Sequence, residues 1–448
     1  MKFYNRENEQ KELLRIRQLA YTDMSRMTLV IGRRRIGKTM LIKHTLASYG
    51  DMLYLFIARK SESELVSTLI DNLHEQTDMY IPDGLKSFAA LMRHLFEQGK
   101  HRNFTIVLDE FQEFMNINPT VFSELQNLWD SYREQTHINL IISGSAYRMM
   151  QKIFMDKDEP LFNRADHIIR LRPFRTEATK HILADYNPSY SNDDLLTLYT
   201  ITGGVPKYMT WLLDNGCTTK EEMYAYFFSE NSHFLEEGNT LLISEFGKNY
   251  GTYFSILQEL AAGYNTQGLI EQRLGGISVG GHLKALDETY QVIKKERPIM
   301  AKPESKTVQY SLNDNFLRFW FRYVEKNRSL IEIQNFEGLT RLAMKDYETY
   351  SGQVLERYFR QQMAETSEYR EISAWWRNKA IEYKGQAIDA EVDIVALQVE
   401  GKKAVVAEVK RKREEYRHEL FMLKVDYLKQ TDLRHYQIET RLLTLNEM

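Results

Sequence analysis

Residues 28–39 decide the fold of the first part of the chain, because Thr28-Leu-Val-Ile31 runs directly into Gly32-Arg-Arg-Arg-Ile-Gly37-Lys38-Thr39. The apolar run predicts a buried strand, and the pattern MLIKHTLASYG that follows predicts a helix. The second stretch has the spacing G-x-x-x-x-G-K-S/T of a phosphate-binding loop. Its glycines let successive backbone N–H groups turn toward an anion, and the N-terminus of the helix adds positive potential. The stretch therefore predicts a site for a phosphorylated nucleotide.

The residue types in this loop imply ATP and Mg²⁺ as cofactors. Lys38 is expected to reach the β- and γ-phosphates, and the Thr39 hydroxyl is expected to bind Mg²⁺. A chance glycine turn is the alternative, but the strand before the motif and the helix after it agree with the functional interpretation. The residues expected to contact the nucleotide here are Gly32, Arg33, Arg34, Arg35, Ile36, Gly37, Lys38, Thr39 and Met40.

Two further strand ends complete the predicted nucleotide site. Ile106-Val-Leu108 precedes Asp109 and Glu110, so Asp109 is expected at the C-terminal edge of a central strand, where it can hold Mg²⁺ through water. Glu110 can then polarise the attacking water as a general base. Another apolar run ends in Ser143, which is expected between the two motif-bearing strands, where it can sense the γ-phosphate. The alternatives are a strand-end cap for Asp109 and a solvated carboxylate for Glu110.

Short apolar strands alternate with helices through residue 175 or so. The additional strand candidates are residues 52–57, 104–108 and 138–142. Near-continuous apolar strands separated by helices predict an α/β fold with a parallel sheet that is covered on both faces. We therefore place a nucleotide-binding core at residues 1–175, followed by a helical lid at residues 176–240.

Residues 241–312 have the outline of a winged helix. Three helix candidates, YFSILQELAAG, TQGLIEQRLG and VGGHLKALDETYQVIKK, are followed by a hairpin candidate, RPIMAKPESKTVQYSL. The third helix and the residues after it could contact DNA phosphates, or the unit could pack between protein domains. The basic side chains in question are His282, Lys284, Lys294, Lys295 and Arg297.

The last unit, residues 313–448, contains a constellation of acidic and basic residues. Asp393 lies on one strand candidate, and Glu408 and Lys410 lie two residues apart on the next, so these two point to the same side. A hairpin would bring all three together. Asp393 and Glu408 could then bind one or two Mg²⁺, while Lys410 positions a water or stabilises a phosphate. A solvated triplet at a strand edge is the alternative.

Composition excludes several classes of protein. The chain has 448 residues with 59 Lys plus Arg and 62 Asp plus Glu, a formal charge of −3, so a uniformly basic nucleic-acid coat is excluded. The single cysteine, Cys217, excludes a disulfide framework and a multi-cysteine zinc site. No apolar run reaches the roughly 18 residues of a membrane span. The charged N-terminus does not look like a secretory signal, so we expect a cytoplasmic location without membrane partners.

These motifs together resemble the archaeal-type ATPase family, P-loop NTPases related to the AAA+ and STAND groups. The stretches that carry the resemblance are FYNRENE, GRRRIGKT, IVLDEFQEF, IISGS, PLFNR and GGVPKY. The resemblance implies that Phe3, Asn5 and Arg6 contact the adenine. It also implies that Arg164 faces a nucleotide phosphate, in cis or in trans, and an action in trans would require an oligomer.

The C-terminal unit resembles the PD-(D/E)XK nuclease superfamily, whose members cut DNA by metal-assisted hydrolysis. This resemblance implies a restriction-endonuclease-like α/β domain, catalytic roles for Asp393, Glu408 and Lys410, and Glu356 as a further acidic position at the metal. Two functions stay open. The first is an ATPase whose nucleotide state repositions a winged helix and a nuclease-like domain that acts on DNA. The second is a STAND-like nucleotide-gated switch or scaffold that binds protein partners or DNA without cleavage.

Overall fold

The computed structural model describes residues 1–247, 250–302, 304–305, 307–377, 380–383 and 385–448, with residues 386 and 388 described by their backbone only. The chain divides into two compact units, residues 2–173 and residues 174–448, the second of which includes Met1. Across these described ranges, none of the helices combines the length and the apolar character that a membrane span requires.

The first unit is built on a five-stranded parallel sheet with the strand order β2-β3-β4-β1-β5. The strands are β1 (Arg26–Ile31), β2 (Met52–Phe56), β3 (Phe104–Asp109), β4 (Ile138–Gly144) and β5 (His167–Arg170). The predicted α/β fold with a parallel sheet is thereby confirmed. As predicted, β4, which ends at Ser143-Gly144, lies between the strand before the phosphate loop and the strand that ends in Asp109.

Helices cover both faces of this sheet. They are α1 (Glu7–Thr22), α2 (Lys38–Leu46), α3 (Glu62–Gln76), α4 (Phe88–Gln98), α5 (Phe114–Ile117), α6 (Thr120–Tyr132) and α7 (Tyr147–Met155). Successive strand side chains point to opposite faces, so Leu29 and Ile31 join one buried cluster while Val30 joins the other. The first cluster also contains apolar residues of α3, α4 and α6, and the second contains those of α1 and α2.

The second unit begins with five helices: α8 (Thr176–Tyr186), α9 (Asn192–Thr202), α10 (Pro206–Leu213), α11 (Lys220–Phe227) and α12 (Phe234–Phe246). Helix α9 begins with a capping box formed by Ser191 and Asp194 and ends at Gly203, which has the left-handed φ of 56°. Pro206 occupies the first turn of α10, where its missing N–H leaves no helical bond unmade.

Three short helices and an antiparallel hairpin follow. They are α13 (Tyr250–Ala261), α14 (Gln267–Arg273), α15 (Gly280–Lys284), β6 (Ile293–Glu296) and β7 (Gln309–Leu312). The sequence pattern predicted one helix through Lys295, and this extent is wrong. After α15 the chain continues as a π-helical stretch at Ala285–Thr289. Gln291 then has a φ of 53°, which ends the helical run, and the hairpin begins at the β-branched Ile293. Residues 303 and 306 of the predicted hairpin lie outside the described residues.

The remaining elements are a mixed four-stranded sheet with the order β13-β12-β11-β8, a separate antiparallel pair formed by β9 and β10, and the helices around them. They are α16 (Asn315–Tyr323), α17 (Arg328–Glu332), α18 (Phe336–Glu365), β8 (Tyr369–Trp376), β9 (Ile381–Tyr383), β10 (Gln386–Ile388), β11 (Glu391–Gln398), β12 (Lys403–Val409), α19 (His418–Gln430) and β13 (Gln437–Leu443). Strand β12 pairs antiparallel with β11 and parallel with β13.

The segment that follows β6 packs against the edge strand β8. The backbone N–H of Ile299 donates to the carbonyl oxygen of Ala374 at 3.1 Å, and the Ser373 hydroxyl donates to the carbonyl oxygen of Arg297 at 3.0 Å. The Ile299 side chain is buried in the same apolar cluster as Trp375. Residues 297–299 are therefore occupied by a contact within the protein.

Candidate functional site

The phosphate loop joins β1 to α2 with the geometry that its glycines allow. Gly37 precedes α2 with a φ of 91°, a conformation that costs a side chain roughly 1–2 kcal/mol and costs glycine nothing. The Lys38 ammonium is buried and donates to the carbonyl oxygens of Gly32 at 2.8 Å and Arg33 at 3.2 Å. The Lys38 side chain therefore folds back over the phosphate loop, where its ammonium is expected to bind the nucleotide phosphates. Met40 on α2 is largely exposed.

Asp109 is the centre of the site, at the C-terminal end of β3, and is almost completely buried. Its Oδ2 accepts hydrogen bonds from the hydroxyls of Thr39 and Tyr54, each at 2.7 Å. Its Oδ1 accepts from the Ser143 hydroxyl and, at 3.1 Å, from the backbone N–H of Glu110. Burial raises the pKa of Asp109, but the donors outweigh it, so the net pKa is lowered and the carboxylate is ionised at neutral pH.

Glu110 has a left-handed backbone, with a φ of 57°, which turns its side chain toward the end of β4. Its Oε2 accepts from the Ser145 hydroxyl at 2.7 Å and from the side-chain amide of Gln112. The structure therefore brings Lys38, Thr39, Asp109, Glu110 and Ser143 to one edge of the sheet. Their individual roles stay predictions.

The N-terminal segment lies beside α2. The Phe3 ring stacks on the His44 ring with centroids 4.0 Å apart, and Asn5 has a left-handed φ of 47°. Arg6 is buried, and its Nη2 donates to the carbonyl oxygen of Arg172 at 2.7 Å, two residues after β5 ends. The segment predicted to contact the adenine is thus fixed near the strand edge that holds the phosphate loop. Base contact by Asn5 and Arg6 stays a prediction.

Arg164 is paired with an acid away from the phosphate loop, and its predicted role toward the nucleotide of its own chain stays a prediction. Its guanidinium makes a bidentate pair with Asp130, with distances of 2.9 and 3.0 Å. Asp130 is near the C-terminal end of α6, and Arg164 precedes the start of β5, which pairs with the early part of β1. In a parallel sheet, strand starts and strand ends lie at opposite edges, and the phosphate loop follows the ends. A role in trans stays a prediction.

The C-terminal constellation is assembled as expected from its hairpin. The pairing of Ile394 with Ala407 places Asp393 across from Glu408, and a register irregularity in β11 lies next to Asp393. The Lys410 ammonium lies 2.8 Å from Glu408 Oε1 and 3.7 Å from Asp393 Oδ2. Asp393 Oδ2 also accepts the backbone N–H of Val409 at 2.7 Å. Burial lowers and the two carboxylates raise the pKa of Lys410, with a net increase, so it is a cation at neutral pH.

Glu356 reaches the same cluster from α18. Burial, and then the charge of Asp393, raise the pKa of Glu356, while Arg360, whose Nη2 lies 3.2 Å from its Oε2, opposes the shift. Within the described part of the chain, the buried Oε2 of Glu408 has no hydrogen-bond partner. Among the described residues, no three His, Cys, Asp or Glu side chains are placed to hold a metal ion together. The metal roles of Asp393, Glu408 and Glu356 stay predictions.

The basic residues expected to contact DNA are partly paired with acids. Lys284 lies 3.8 Å from Glu288, and Lys294 lies 3.4 Å from Glu296. Residues 297–299 also pack on β8, and both the DNA contact and the packing role of residues 241–312 stay predictions.

Three side chains that make hydrogen bonds in or near the sites were not predicted from the sequence. Tyr54 lies in the strand candidate of residues 52–57, but no contact to a site is predicted for it, for Asp193 or for Arg411. Arg411 donates to Asp193 Oδ1 at 2.7 Å and to the Ser351 hydroxyl at 2.6 Å, and it lies over the Tyr347 ring. The available signal for Tyr54 was its place in an alternating strand, which brings a tyrosine next to the acidic end of another strand.

Comparisons with known proteins agree with the N-terminal motifs. Residues 3–212 match a family described as an ATPase domain predominantly from Archaea, and residues 320–420 match one described as Archaea bacterial proteins of unknown function. The uncharacterized protein MJECL04 of Methanocaldococcus jannaschii is 28% identical over 92% of this chain and 88% of its own length. The resemblance to archaeal-type ATPases is thus supported for residues 3–212.

Two solved structures are similar to this chain at low sequence identity. The Walker-type ATPase paby2304 of Pyrococcus abyssi is 18% identical, with 71% of this chain and 96% of that chain covered and a TM-score of 0.49. The Aeropyrum pernix ORC2 protein, solved as ADPNP-ADP complexes, is 15% identical, with 77% and 96% covered and a TM-score of 0.46.

Proposed function

We propose that residues 2–173 bind ATP with Mg²⁺ and hydrolyse it. The observation that carries the proposal is the buried, ionised Asp109 at the end of β3, which accepts a hydrogen bond from Thr39 of the phosphate loop at 2.7 Å. A hydroxyl beside a fixed carboxylate is the oxygen-rich set that Mg²⁺ prefers in nucleotide sites. The match of residues 3–212 to an ATPase domain supports the same function.

In this proposal Thr39 and Asp109 hold the Mg²⁺, which neutralises charge on the β- and γ-phosphates when it is bound. The Lys38 ammonium exchanges the carbonyl oxygens of Gly32 and Arg33 for phosphate oxygens, which offer a cation a stronger partner. Glu110 orients the attacking water and accepts its proton. The hydrogen bonds from Ser145 and Gln112 both end on Oε2, so they can hold the carboxylate while Oε1 accepts the proton.

Replacing the loop lysine tests this function. Lys38→Ala is expected to lose binding of a fluorescent ATP analogue and release of phosphate, because no other ammonium follows Gly37. Lys11→Ala, on the exposed side of α1, is the matched control and should behave as wild type. Hydrolysis by Lys38→Ala at the wild-type rate would exclude this site as the ATPase centre.

The acidic cluster of β11 and β12 supports a second function, metal-dependent hydrolysis of DNA by the C-terminal unit. The buried Glu408 Oε2 that lacks a donor is the specific observation in its favour, because a cation would satisfy it. Asp393 and Glu408 would hold the metal, which polarises a phosphate oxygen when it is bound. Lys410, now held between the two carboxylates, would turn its ammonium to the scissile phosphate.

Cleavage assays separate this function from the alternative of a nucleotide-gated switch or scaffold. Wild-type protein and Asp393→Ala are incubated with plasmid and linear DNA, with Mg²⁺ or Mn²⁺, and with or without ATP. Glu400→Gln, an exposed acid in the turn between β11 and β12, is the matched control. Cutting that requires Asp393 but not Glu400 supports the nuclease, and equal cutting by all three proteins points to a contaminant. No metal-dependent cutting favours the switch, which the packing of residues 297–299 on β8 also supports.

A further inference from the structure

Tyr54 is the one phenol that bonds to the acid of the nucleotide site in the described part of the chain. It lies on β2, next to β3, and its hydroxyl donates to Asp109 Oδ2 at 2.7 Å. Burial and then the bond to Asp109 raise the pKa of Tyr54, so the phenol stays protonated and acts as a donor. The Lys43 ammonium of α2 lies 4.0 Å from the centroid of its ring, which holds the ring between the helix and the strand.

The acceptor positions of Asp109 are fully used. A carboxylate offers about four lone-pair positions, and Asp109 receives Thr39 and Tyr54 on Oδ2 and Ser143 and the Glu110 N–H on Oδ1. A cation that binds the Thr39 oxygen needs that hydroxyl to turn its proton away from Asp109. Oδ2 then has one position open for a water of the cation, and Tyr54 is the donor that continues to orient this oxygen.

We propose that Tyr54 is a positioning residue of the nucleotide site, which holds Asp109 Oδ2 in place for the hydrated Mg²⁺ once Thr39 has turned toward the metal. Tyr54 acts through Asp109 and contacts neither phosphate nor metal. The inference rests on the proposed ATPase function and adds a requirement to it. The phenol hydroxyl, and not only the aromatic ring, sets how well the site uses Mg²⁺.

Tyr54→Phe removes the hydroxyl and keeps the ring. Removing a donor that orients a metal-site carboxylate typically costs 10-fold or more in metal affinity, so we expect half-saturation at roughly tenfold higher Mg²⁺. ATP affinity at saturating Mg²⁺ should stay near wild type.

The measurement is a Mg²⁺ titration of the binding of a fluorescent ATP analogue to the full chain, followed by a Mg²⁺ titration of phosphate release. The matched control is Tyr21→Phe, which removes another largely buried phenol from the same unit. The Tyr21 hydroxyl bonds to Asp51 at 3.0 Å, and Asp51 lies at the opposite end of β2 from Phe56, which pairs with Asp109. Tyr54→Leu, which also removes the ring, separates the hydroxyl from the packing against Lys43, and thermal melts verify that every variant is folded.

The outcomes separate this inference from the proposed function. A tenfold shift in Tyr54→Phe but not in Tyr21→Phe supports it. Wild-type Mg²⁺ dependence in folded Tyr54→Phe overturns it and leaves the ATPase proposal intact, and so does a defect that appears only in Tyr54→Leu. Wild-type protein that binds Mg²⁺ and nucleotide without turnover contradicts hydrolysis alone, since the binding titration still tests Tyr54. Wild-type protein that binds no nucleotide contradicts both.

Discussion

The ion pair between Asp193 and Arg411 should contribute measurably to the stability of residues 174–448. Asp193, at the start of α9, accepts from Arg411 at 2.7 Å, from Lys220 at 2.9 Å and from the Tyr347 hydroxyl at 2.7 Å. The Arg411 side chain is only 8% exposed, and its other terminal nitrogen donates to Ser351 of α18. Arg411 directly follows Lys410, so the pair connects α9 to the strand end of the acidic cluster.

The burial of the two groups gives the expected magnitude. Removing one partner of a buried ion pair typically costs about 3–5 kcal/mol, because the other charge stays uncompensated. Asp193 keeps Lys220 and Tyr347 when Arg411 is removed, so Arg411→Ala should fall at the lower end, at about 3 kcal/mol. Asp193→Asn should cost about 2–3 kcal/mol, and the double variant should show a coupling of about 1–2 kcal/mol.

Urea unfolding followed by tryptophan fluorescence measures these free energies. Four of the five tryptophans lie in residues 174–448, so a Trp129→Phe background restricts the signal to this unit. The matched control is the neighbouring pair Lys412–Glu348, whose side chains are 57% and 67% exposed and which also joins this strand end to α18. Its coupling should be under about 0.5 kcal/mol. A coupling for Asp193–Arg411 no larger than that of the control would refute the argument.

Two further outcomes follow from the same unit. In Gly238→Ala the new Cβ would lie 2.2 Å from the Trp320 ring, so we expect the free energy of unfolding to fall by about 1–3 kcal/mol and the melting temperature to drop. Gly352→Ala on α18 has open space at its Cβ, so it should be neutral or stabilising by up to about 1 kcal/mol. Glu356→Gln should gain stability relative to wild type as the pH rises above about 4.5. The pKa of Glu356 is raised in the folded chain, so this carboxyl group ionises at lower pH in the unfolded chain, and its ionisation favours unfolding of the wild type. Parallel stability curves for wild type and Glu356→Gln between pH 5 and 8 would contradict this expectation.

Local patterns predicted the elements of the nucleotide site well. The apolar runs before Gly32 and Asp109 became neighbours of β4 in one parallel sheet, because buried strands need apolar side chains on both faces. The hairpin that carries Asp393, Glu408 and Lys410 was predicted equally well, since the alternation of side chains along a strand sets which residues share a face. Such patterns depend on neighbours in sequence or on one strand pairing.

Other features could not be predicted from the sequence, most of them because they depend on residues far apart in the chain. The resemblance predicted Arg164 near a nucleotide phosphate, but it did not predict the bidentate pair with Asp130, a residue 34 positions earlier in the chain. The helical run that begins with α15 does not reach Lys295, because it ends at Thr289 and Gln291 then adopts a left-handed backbone that its residue type does not dictate. The contact between residues 297–299 and β8 joins segments about 75 positions apart in the sequence.

Patterns in the sequence were enough to predict the phosphate loop, the acidic strand end and the parallel sheet that joins them, because glycine spacing and apolar runs act over a few residues. Folding then paired polar side chains that no such pattern links, Tyr54 with Asp109 and Arg411 with Asp193. The physical reason is that a polar group is buried only where a partner from another part of the chain satisfies it, and that partner is set by packing and not by spacing in the sequence.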